Sequence, residues 1–436
     1  MWQTLGHIPH QIGPLTVFGL GWALIGWLLF SGWALFQTVK HEGFSSSAQS
    51  QLATTAIFAV IIVWVLPWLE QRLAGAEQPN PGIPIRGYGV MLLLAVVSSV
   101  RLALARSDRM GLDRDQVYGL AMWMFVGGIV GARLFFVIQK WDQFPKQRLW
   151  EFLAAAVNIA EGGLVVYGSL IGATLSSLLF LSRQRMPIWR TADMAAPCLL
   201  LGLAIGRVGC LMNGCCYGGP CDLPWAIEFP ATSPAYQDRR ASGEFHGFRF
   251  ESNPDGGIVI TAVEAEQPAA QAGLSVGQIV QAINGYPLDK DDDDDHVSAA
   301  EQASWRLLDN VDEPITVTLA DGQRISWSDR LPISTRPVHP TQIYSAINAF
   351  ILCFFLLAVT PYCRDGQVFA WLLTLYPISR FILEMIRVDE GAFLNTGMTI
   401  SQVISLGLLV LGILLWFRTG RGIIGERRQT KMSVAA

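Results

Sequence analysis

Long apolar stretches separated by short polar links run along most of the chain, and within each stretch the apolar character is continuous rather than confined to one face. A helix hydrophobic all round avoids water altogether, and a run of about 20 such residues is long enough to cross a bilayer. Nine spans are predicted on this pattern, near residues 14–36, 52–69, 88–105, 117–138, 163–182, 193–211, 345–361, 367–386 and 399–417, with Pro67 expected to trim the second. Between residues 213 and 344 the pattern changes to short alternating runs broken by turn residues. A strand begins at Gly256-Gly257, a short helix closed by glycine covers 267–274, and a second strand from Val276 ends in an Asn284-Gly285 turn. The expected architecture is therefore a polytopic α-helical membrane protein of about nine spans with an extracytoplasmic, β-rich α+β insertion.

Composition supports the membrane reading: of 436 residues, 51% are hydrophobic and only 15% charged. The formal net charge of -4 says little about partners, and no nucleic-acid partner is expected. No cleaved signal peptide is evident, so the first apolar run is expected to remain as a span. Charge placement is more informative. Arg101, Arg106, Arg109 and Arg114 flank the link between spans three and four, Arg183, Arg185 and Arg190 fill that between five and six, and Arg418, Arg421, Arg427, Arg428 and Lys431 follow span nine. Cationic links stay in the cytoplasm, which puts the C-terminus inside and the N-terminus and insertion outside. Lys140, Lys146 and Arg148 then form a minority in an external loop. The acidic run Asp291 to Asp295 lacks the ligand spacing and glycine of a calcium loop and reads as a solvated loop. Four of seven cysteines, Cys210, Cys215, Cys216 and Cys221, crowd together without zinc-ribbon or thioredoxin spacing. Neither a metal site nor a cofactor is expected, and a disulfide and free thiols both remain open.

The chemistry begins at Arg207, which closes the apolar run from Met194 to Ile205. An arginine at membrane depth is a functional hypothesis by default, because burying its charge unpaired costs several kcal/mol. The neighbouring Gly206, Gly209 and Gly214, with Asn213, suit a backbone folded closely around an anion such as a phosphate head group.

Four stretches together carry a family resemblance: Arg86-Gly-Tyr-Gly-Val-Met91, Glu161-Gly-Gly-Leu-Val-Val-Tyr-Gly-Ser-Leu-Ile-Gly172, Gly206-Arg-Val-Gly-Cys-Leu-Met-Asn-Gly214 and Val338-His-Pro-Thr-Gln-Ile-Tyr344. In this order they resemble bacterial prolipoprotein diacylglyceryl transferase, as do Gly127-Gly-Ile-Val-Gly-Ala-Arg133 and Arg380-Phe-Ile-Leu-Glu-Met-Ile-Arg387. The resemblance implies transfer of the diacylglyceryl group of phosphatidylglycerol to the lipobox cysteine of a prolipoprotein in the bacterial inner membrane. On that reading Arg207 clamps the phosphate in a bidentate geometry that lysine could not reproduce. Arg336, before the His339 motif, and Arg133 are candidates for a second cationic contact, Arg336 being favoured and counted with Arg207 and Tyr167 as catalytic. Asn213 and Gly214 would shape the head-group pocket, and Tyr88, His339 and Tyr344 would contact substrate. The stretch from Gly247 to Trp327 resembles a PDZ domain, with Gly247-Phe-Arg-Phe250 as its carboxylate loop and an extended peptide as ligand.

Two residues depart from the family pattern. Tyr167 stands where well-known members have a histidine, and with an ordinary pKa near 10 a tyrosine is a poor base at neutral pH. Cys210 stands where the family has asparagine. Blander roles stay open: Arg133 paired with Glu384, His339 capping the seventh span, Tyr88 and Tyr344 as interface anchors, and Arg380, Glu384 and Arg387 as a charge network at helical spacing. The expected domain plan is an N-terminal extension at 1–81, a transferase-like core at 82–230 and 331–420, the insertion at 231–330 and a basic tail at 421–436. An intramembrane metalloprotease is the main rival enzyme, but His41-Glu42 has no second histidine at the required spacing, and no span carries a serine-protease motif. A lipid-binding scaffold that has lost transfer is the non-enzymatic alternative.

Overall fold

The computed structural model describes residues 3–43, 46–73, 82–141, 144, 148–158, 162–253, 256–288, 298–309, 314–328, 331–387 and 397–420. Glu161, Lys146, the acidic run at 291–295 and the basic tail at 421–436 lie outside the described residues. The chain divides into two compact units, one made of Trp2–Val90 and Phe125–Leu175, the other of Met91–Met124 and Ser176–Ala436.

The first unit opens with three short strands, β1 (Thr4–Ile8), β2 (Gln11–Ile12) and β3 (Leu15–Thr16), before α1 (Trp22–Glu42). The first span thus starts later than the apolar pattern suggested. The apolar residues from 14 onward are first used in the β2–β3 hairpin, which turns at Gly13 with φ +65°. Pro67 does not end the second span: α2 (Ser46–Val60) widens into a π-type turn at Ile61–Val65 and continues as α3 (Leu66–Leu73). A proline inside a helix donates no hydrogen bond and its ring pushes on the carbonyl behind it, and the wider turn absorbs both effects. The Ile62 carbonyl accepts from the Gly19 N–H instead, at 3.0 Å. Strand β4 (Ile83–Arg86) pairs antiparallel with β1 and leads into α4 (Gly87–Met110). Then come α5 (Arg114–Gln139), the short α6 (Leu149–Val157) and α7 (Val166–Arg183). Where α5 and α7 cross, two Gly-xxx-Gly pairs meet. A β-carbon on Gly131 would lie 2.4 Å from the Gly168 carbonyl oxygen, and one on Gly172 would lie 2.2 Å from that of Gly127. Small residues at this spacing let helix backbones touch within a membrane.

In the second unit α8 (Ile188–Asn213) contains Pro197 and packs along α12 (Thr341–Val359) and α13 (Gln367–Glu384), while α13 packs on α14 (Ile400–Gly420). Eight helical segments among the described residues are long and apolar enough to cross a membrane. The expected ninth, α13, is helical, carries Arg380 and a buried Glu384, and falls outside that set of eight. Between α8 and α12 lies the β-rich insertion: α9 (Pro234–Ala241), β5 (Phe248–Ser252), β6 (Ile258–Val263), α10 (Pro268–Gln271), β7 (Ile279–Ile283), β8 (Tyr286–Pro287), α11 (Ala299–Asp309), β9 (Ile315–Leu319) and β10 (Arg324–Trp327). Its sheet runs β10-β9-β7-β6-β5 with β8 beside β7, and every pairing is antiparallel. Alternate residues such as Phe248, Ile258, Ile260, Val280 and Val317 point inward and pack on Leu307 of α11.

Candidate functional site

Helix α8 carries two arrangements of polar groups. At its N-terminal half, Pro197 cannot donate to the carbonyl of Asp193, and Arg106 of α4 takes that carbonyl at 3.2 Å. The same guanidinium reaches the Met194 carbonyl and the Thr360 hydroxyl, each at 3.2 Å. The buried Asp193 carboxylate in turn accepts from the Gly366 and Phe369 N–H groups at 2.7 and 2.9 Å, capping α13 where its backbone donors have no helical partner. Charge and donors are matched within the protein.

At the other end of α8 the Arg207 guanidinium makes no hydrogen bond and no ion pair among the described residues. Its electrostatic neighbours are Cys216, Cys210, Tyr376 and a second cation, Arg387. Glu384 pairs with Arg380 and, at 3.6 Å, with Arg387. One buried carboxylate thus serves two arginines.

The chain leaves α8 through Gly214, whose φ of +80° is natural for glycine. A β-carbon there would stand 2.8 Å from Ser233 Cβ and 2.9 Å from the Phe229 ring. Its size and backbone freedom thus serve packing against the first turn of the insertion, a structural role beside the head-group role expected for it. Asn213 is the last residue of the helix. The following loop is held on two sides. Gly218 N donates to His339 O and His339 N to Gly219 O, both at 3.0 Å, and Gly219 N donates to Ile386 O at 2.9 Å. Thr341 Oγ1 donates to Cys216 O at 2.6 Å and Gln342 Nε2 to Cys215 O at 2.7 Å. The loop folds Cys215 and Cys216 back over Cys210, so that the three sulfurs lie within 4.8 Å of one another. Hydrogen bonds with Cys210 and Cys215, helped by Arg207 and Arg387, hold the Cys216 thiol well below its ordinary pKa.

His339 sits at the mouth of α12 with Nδ1 3.4 Å from the Tyr344 hydroxyl, which accepts from Trp225 Nε1 at 2.7 Å. His339, Tyr344 and Trp225 therefore form one polar chain. Arg336 is elsewhere engaged: its Nη1 and Nη2 bind the two oxygens of Glu264 in the insertion at 3.3 and 2.8 Å. Glu264 neutralises the charge that the sequence reading assigned to a second phosphate contact. Arg387 is the cation found beside Arg207, and its place in a helical charge pattern hid that proximity.

Tyr88, Arg133 and Tyr167 belong to the other unit. Arg133 donates Nε to Ala156 O, Nη2 to Ala155 O and Nη1 to Gly162 O, each at 2.8 Å, with Gly163 O at 3.1 Å, and lies over the Phe136 ring. Its partners are the carbonyls of the segment leading into α7 rather than Glu384, and they occupy the donors expected for a phosphate. Tyr167 stands in the first turn of α7, directly after that segment, and Tyr88 is exposed in the first turn of α4.

Comparison with known proteins gives the family. A family model described as prolipoprotein diacylglyceryl transferase matches residues 78–418. A phosphatidylglycerol–prolipoprotein diacylglyceryl transferase of Rhodopirellula baltica is 35% identical over 99% of this chain and 92% of its own length. One from Clostridium tetani is 24% identical over 77% of this chain and 93% of its own, and one from Trichormus variabilis is 34% identical over 34% of this chain and 51% of its own.

Proposed function

The chain belongs to the prolipoprotein diacylglyceryl transferase family, and on that footing we propose that it moves the diacylglyceryl group of phosphatidylglycerol onto the lipobox cysteine of a prolipoprotein, with Arg207 as the guanidinium that receives the phosphate. The observation that carries this reading is Arg207 at the end of α8, whose guanidinium makes no hydrogen bond and no ion pair with a carboxylate among the described residues, with Arg387 nearby. A phosphodiester entering there meets the guanidinium donors of Arg207, with the Arg387 charge close by.

In the reaction the cysteine sulfur forms a bond to the glycerol carbon of the diacylglycerol moiety, and that carbon's bond to the phosphate oxygen breaks. Glycerol phosphate departs, and the thiol proton leaves with it or passes to solvent. Negative charge gathers on the departing phosphate, so guanidinium groups already in place stabilise the transition state more than the bound lipid. Tyr167 is assigned in this proposal to orient the incoming group through its hydroxyl, and the intrinsic nucleophilicity of the thiol meets the remaining demand. His339, Tyr344 and Trp225 offer polar contacts to the glycerol part of the lipid, and Asn213 lies at the same helix end.

We place the protein in the bacterial inner membrane with the insertion outside, on the strength of the arginine-rich links. Segment 231–330 acts as a PDZ-like module. Its support is the order of strands and helices and a cavity of about 460 Å³ beside β5 and α11, lined by Arg249, Phe250, Glu301 and Ser304 and reaching Tyr217 and Pro220 of the loop after α8. β5 is an edge strand, so an extended peptide can add to it as a further strand.

Complementation tests the reading. A bacterium depleted of its own diacylglyceryl transferase is supplied with this chain, with Arg207→Ala or with Tyr167→Phe, while lipid attachment to a reporter lipoprotein is followed. The parent restores lipidation and Arg207→Ala does not. Lipidation by Arg207→Ala at the parental level would remove Arg207 from the site, and none by a correctly inserted parent would remove the activity.

A further inference from the structure

The loop after α8 assembles a group of side chains that the transfer reaction does not require. We propose that Cys210, Cys215 and Cys216 form a three-thiolate site for a soft d10 metal ion, with zinc as the natural occupant. The sulfurs lie within 4.8 Å of one another. A zinc ion bound tetrahedrally at about 2.3 Å needs its sulfurs about 3.8 Å apart, a closure that small side-chain rotations supply.

The backbone is arranged to present these donors together. Gly214 N and Cys215 N both donate to the Cys210 carbonyl, at 2.9 and 3.2 Å, so the chain doubles back over the helix end as soon as α8 stops. Cys216 has φ +60°, a left-handed conformation that costs a residue with a β-carbon roughly 1–2 kcal/mol. Surrounding structure enforces it: Thr341 and Gln342, the first residues of α12, bind the Cys216 and Cys215 carbonyls. Hydrogen bonds of this kind orient metal ligands from behind. The Gln342 Oε1 atom is meanwhile buried without a partner among the described residues, an orphan acceptor at the wall of the cluster.

Charge favours the same occupant. Three thiolates around a divalent ion leave one net negative charge, and Arg207 and Arg387 lie within electrostatic reach of Cys216. Soft sulfur donors select zinc or monovalent copper over magnesium or calcium. A disulfide is a poorer use of the cluster. Cys215 and Cys216 are adjacent, with α-carbons about 3.8 Å apart across a trans peptide, closer than disulfide geometry takes. Any other pairing strands the third thiol. Three protein ligands leave one coordination position open.

The proposal stands apart from the transferase reading, and its test reads bound metal rather than turnover. The full-length chain is purified in detergent under reducing conditions, and its zinc content after dialysis is measured by elemental mass spectrometry. Cadmium is then titrated in while thiolate-to-metal charge-transfer absorption is recorded. The parent and Cys363→Ser, which alters a cysteine outside the cluster, retain equimolar zinc and give the band; Cys210→Ser/Cys215→Ser/Cys216→Ser does neither. Equal metal content in the parent and the triple variant would overturn the proposal. So would the absence of a cadmium band in the parent, or a disulfide joining two of the three cysteines in the protein as isolated.

Discussion

The two ends of α8 treat an arginine in opposite ways. Near the N-terminal end, Arg106 is buried and donates to two carbonyls and a hydroxyl, while Asp193 caps the next helix. Near the C-terminal end, Arg207 makes no hydrogen bond and no ion pair with a carboxylate among the described residues, and its electrostatic neighbours are the Cys216 and Cys210 sulfurs, Tyr376 and a second cation, Arg387. The cost of an intramembrane charge is met by carbonyls and a hydroxyl inside the protein in the first case and, in the function proposed above, by the lipid phosphate in the second. Arg133 belongs with the first class, since backbone carbonyls take its donors. An arginine at membrane depth therefore identifies function only after its partners have been counted.

The comparison breaks most visibly under paired substitution. Arg207→Ala lowers lipid transfer by about two orders of magnitude or more, the scale of losing a preorganised charge stabiliser, while the thermal midpoint of the detergent-solubilised chain hardly moves. Arg106→Ala does the reverse. Each carbonyl it leaves bare in the interior costs about 1–3 kcal/mol, so thermal unfolding shifts down while the surviving folded fraction keeps its specific activity.

His246 gives the next largest effect, a pH dependence confined to the insertion. Burial, with the nearby Arg240 charge, pushes its pKa down to about 4, and its Nδ1 has no partner among the described residues. The unfolded chain takes up a proton near pH 6.5 and the folded one only near 4, so the stabilisation is complete above pH 6.5 and is lost as the pH falls between those values. The loss amounts to about 3 kcal/mol at most. Limited proteolysis of the insertion across that range shows it, and His246→Gln flattens the profile. Gly214→Ala follows at about 2 kcal/mol, from a strained φ and contact with Phe229 and Ser233, read as a lowered thermal midpoint. The smallest effect is at Arg336, whose pair with Glu264 is about half exposed. Arg336→Ala costs under about 1 kcal/mol and leaves transfer near the parental rate, whereas a loss as large as that of Arg207→Ala would restore it to the site.

The spans were legible because continuous apolar runs of this length have few alternatives, and the position of the insertion showed in the change to short alternating runs. Arg207 was legible for the same reason, as a charge at the end of such a run. What stayed hidden depended on contacts between distant residues. Nothing near Arg336 in sequence points to Glu264, 72 positions away. The Arg380, Glu384 and Arg387 spacing reads as one helical network, but α13 ends at Glu384 and Arg387 lies beyond it, bridged to Gly218 of the loop after α8, which is how it approaches Arg207. The cysteine spacing matched no metal motif because the three sulfurs converge through the left-handed residues Gly214 and Cys216 rather than through a regular element. Residues 14–16 read as helix by apolarity, yet pair in a hairpin because Gly13 turns the chain.

The most direct test of the central claim compares the parent, Arg207→Lys and Arg207→Ala in transfer from phosphatidylglycerol to a lipobox peptide by the purified chain. Lysine keeps the charge but lacks the planar fork that grips two phosphate oxygens. The account predicts that both variants lose transfer, alanine more than lysine, with folding unchanged. Transfer at the parental rate by Arg207→Ala would contradict it.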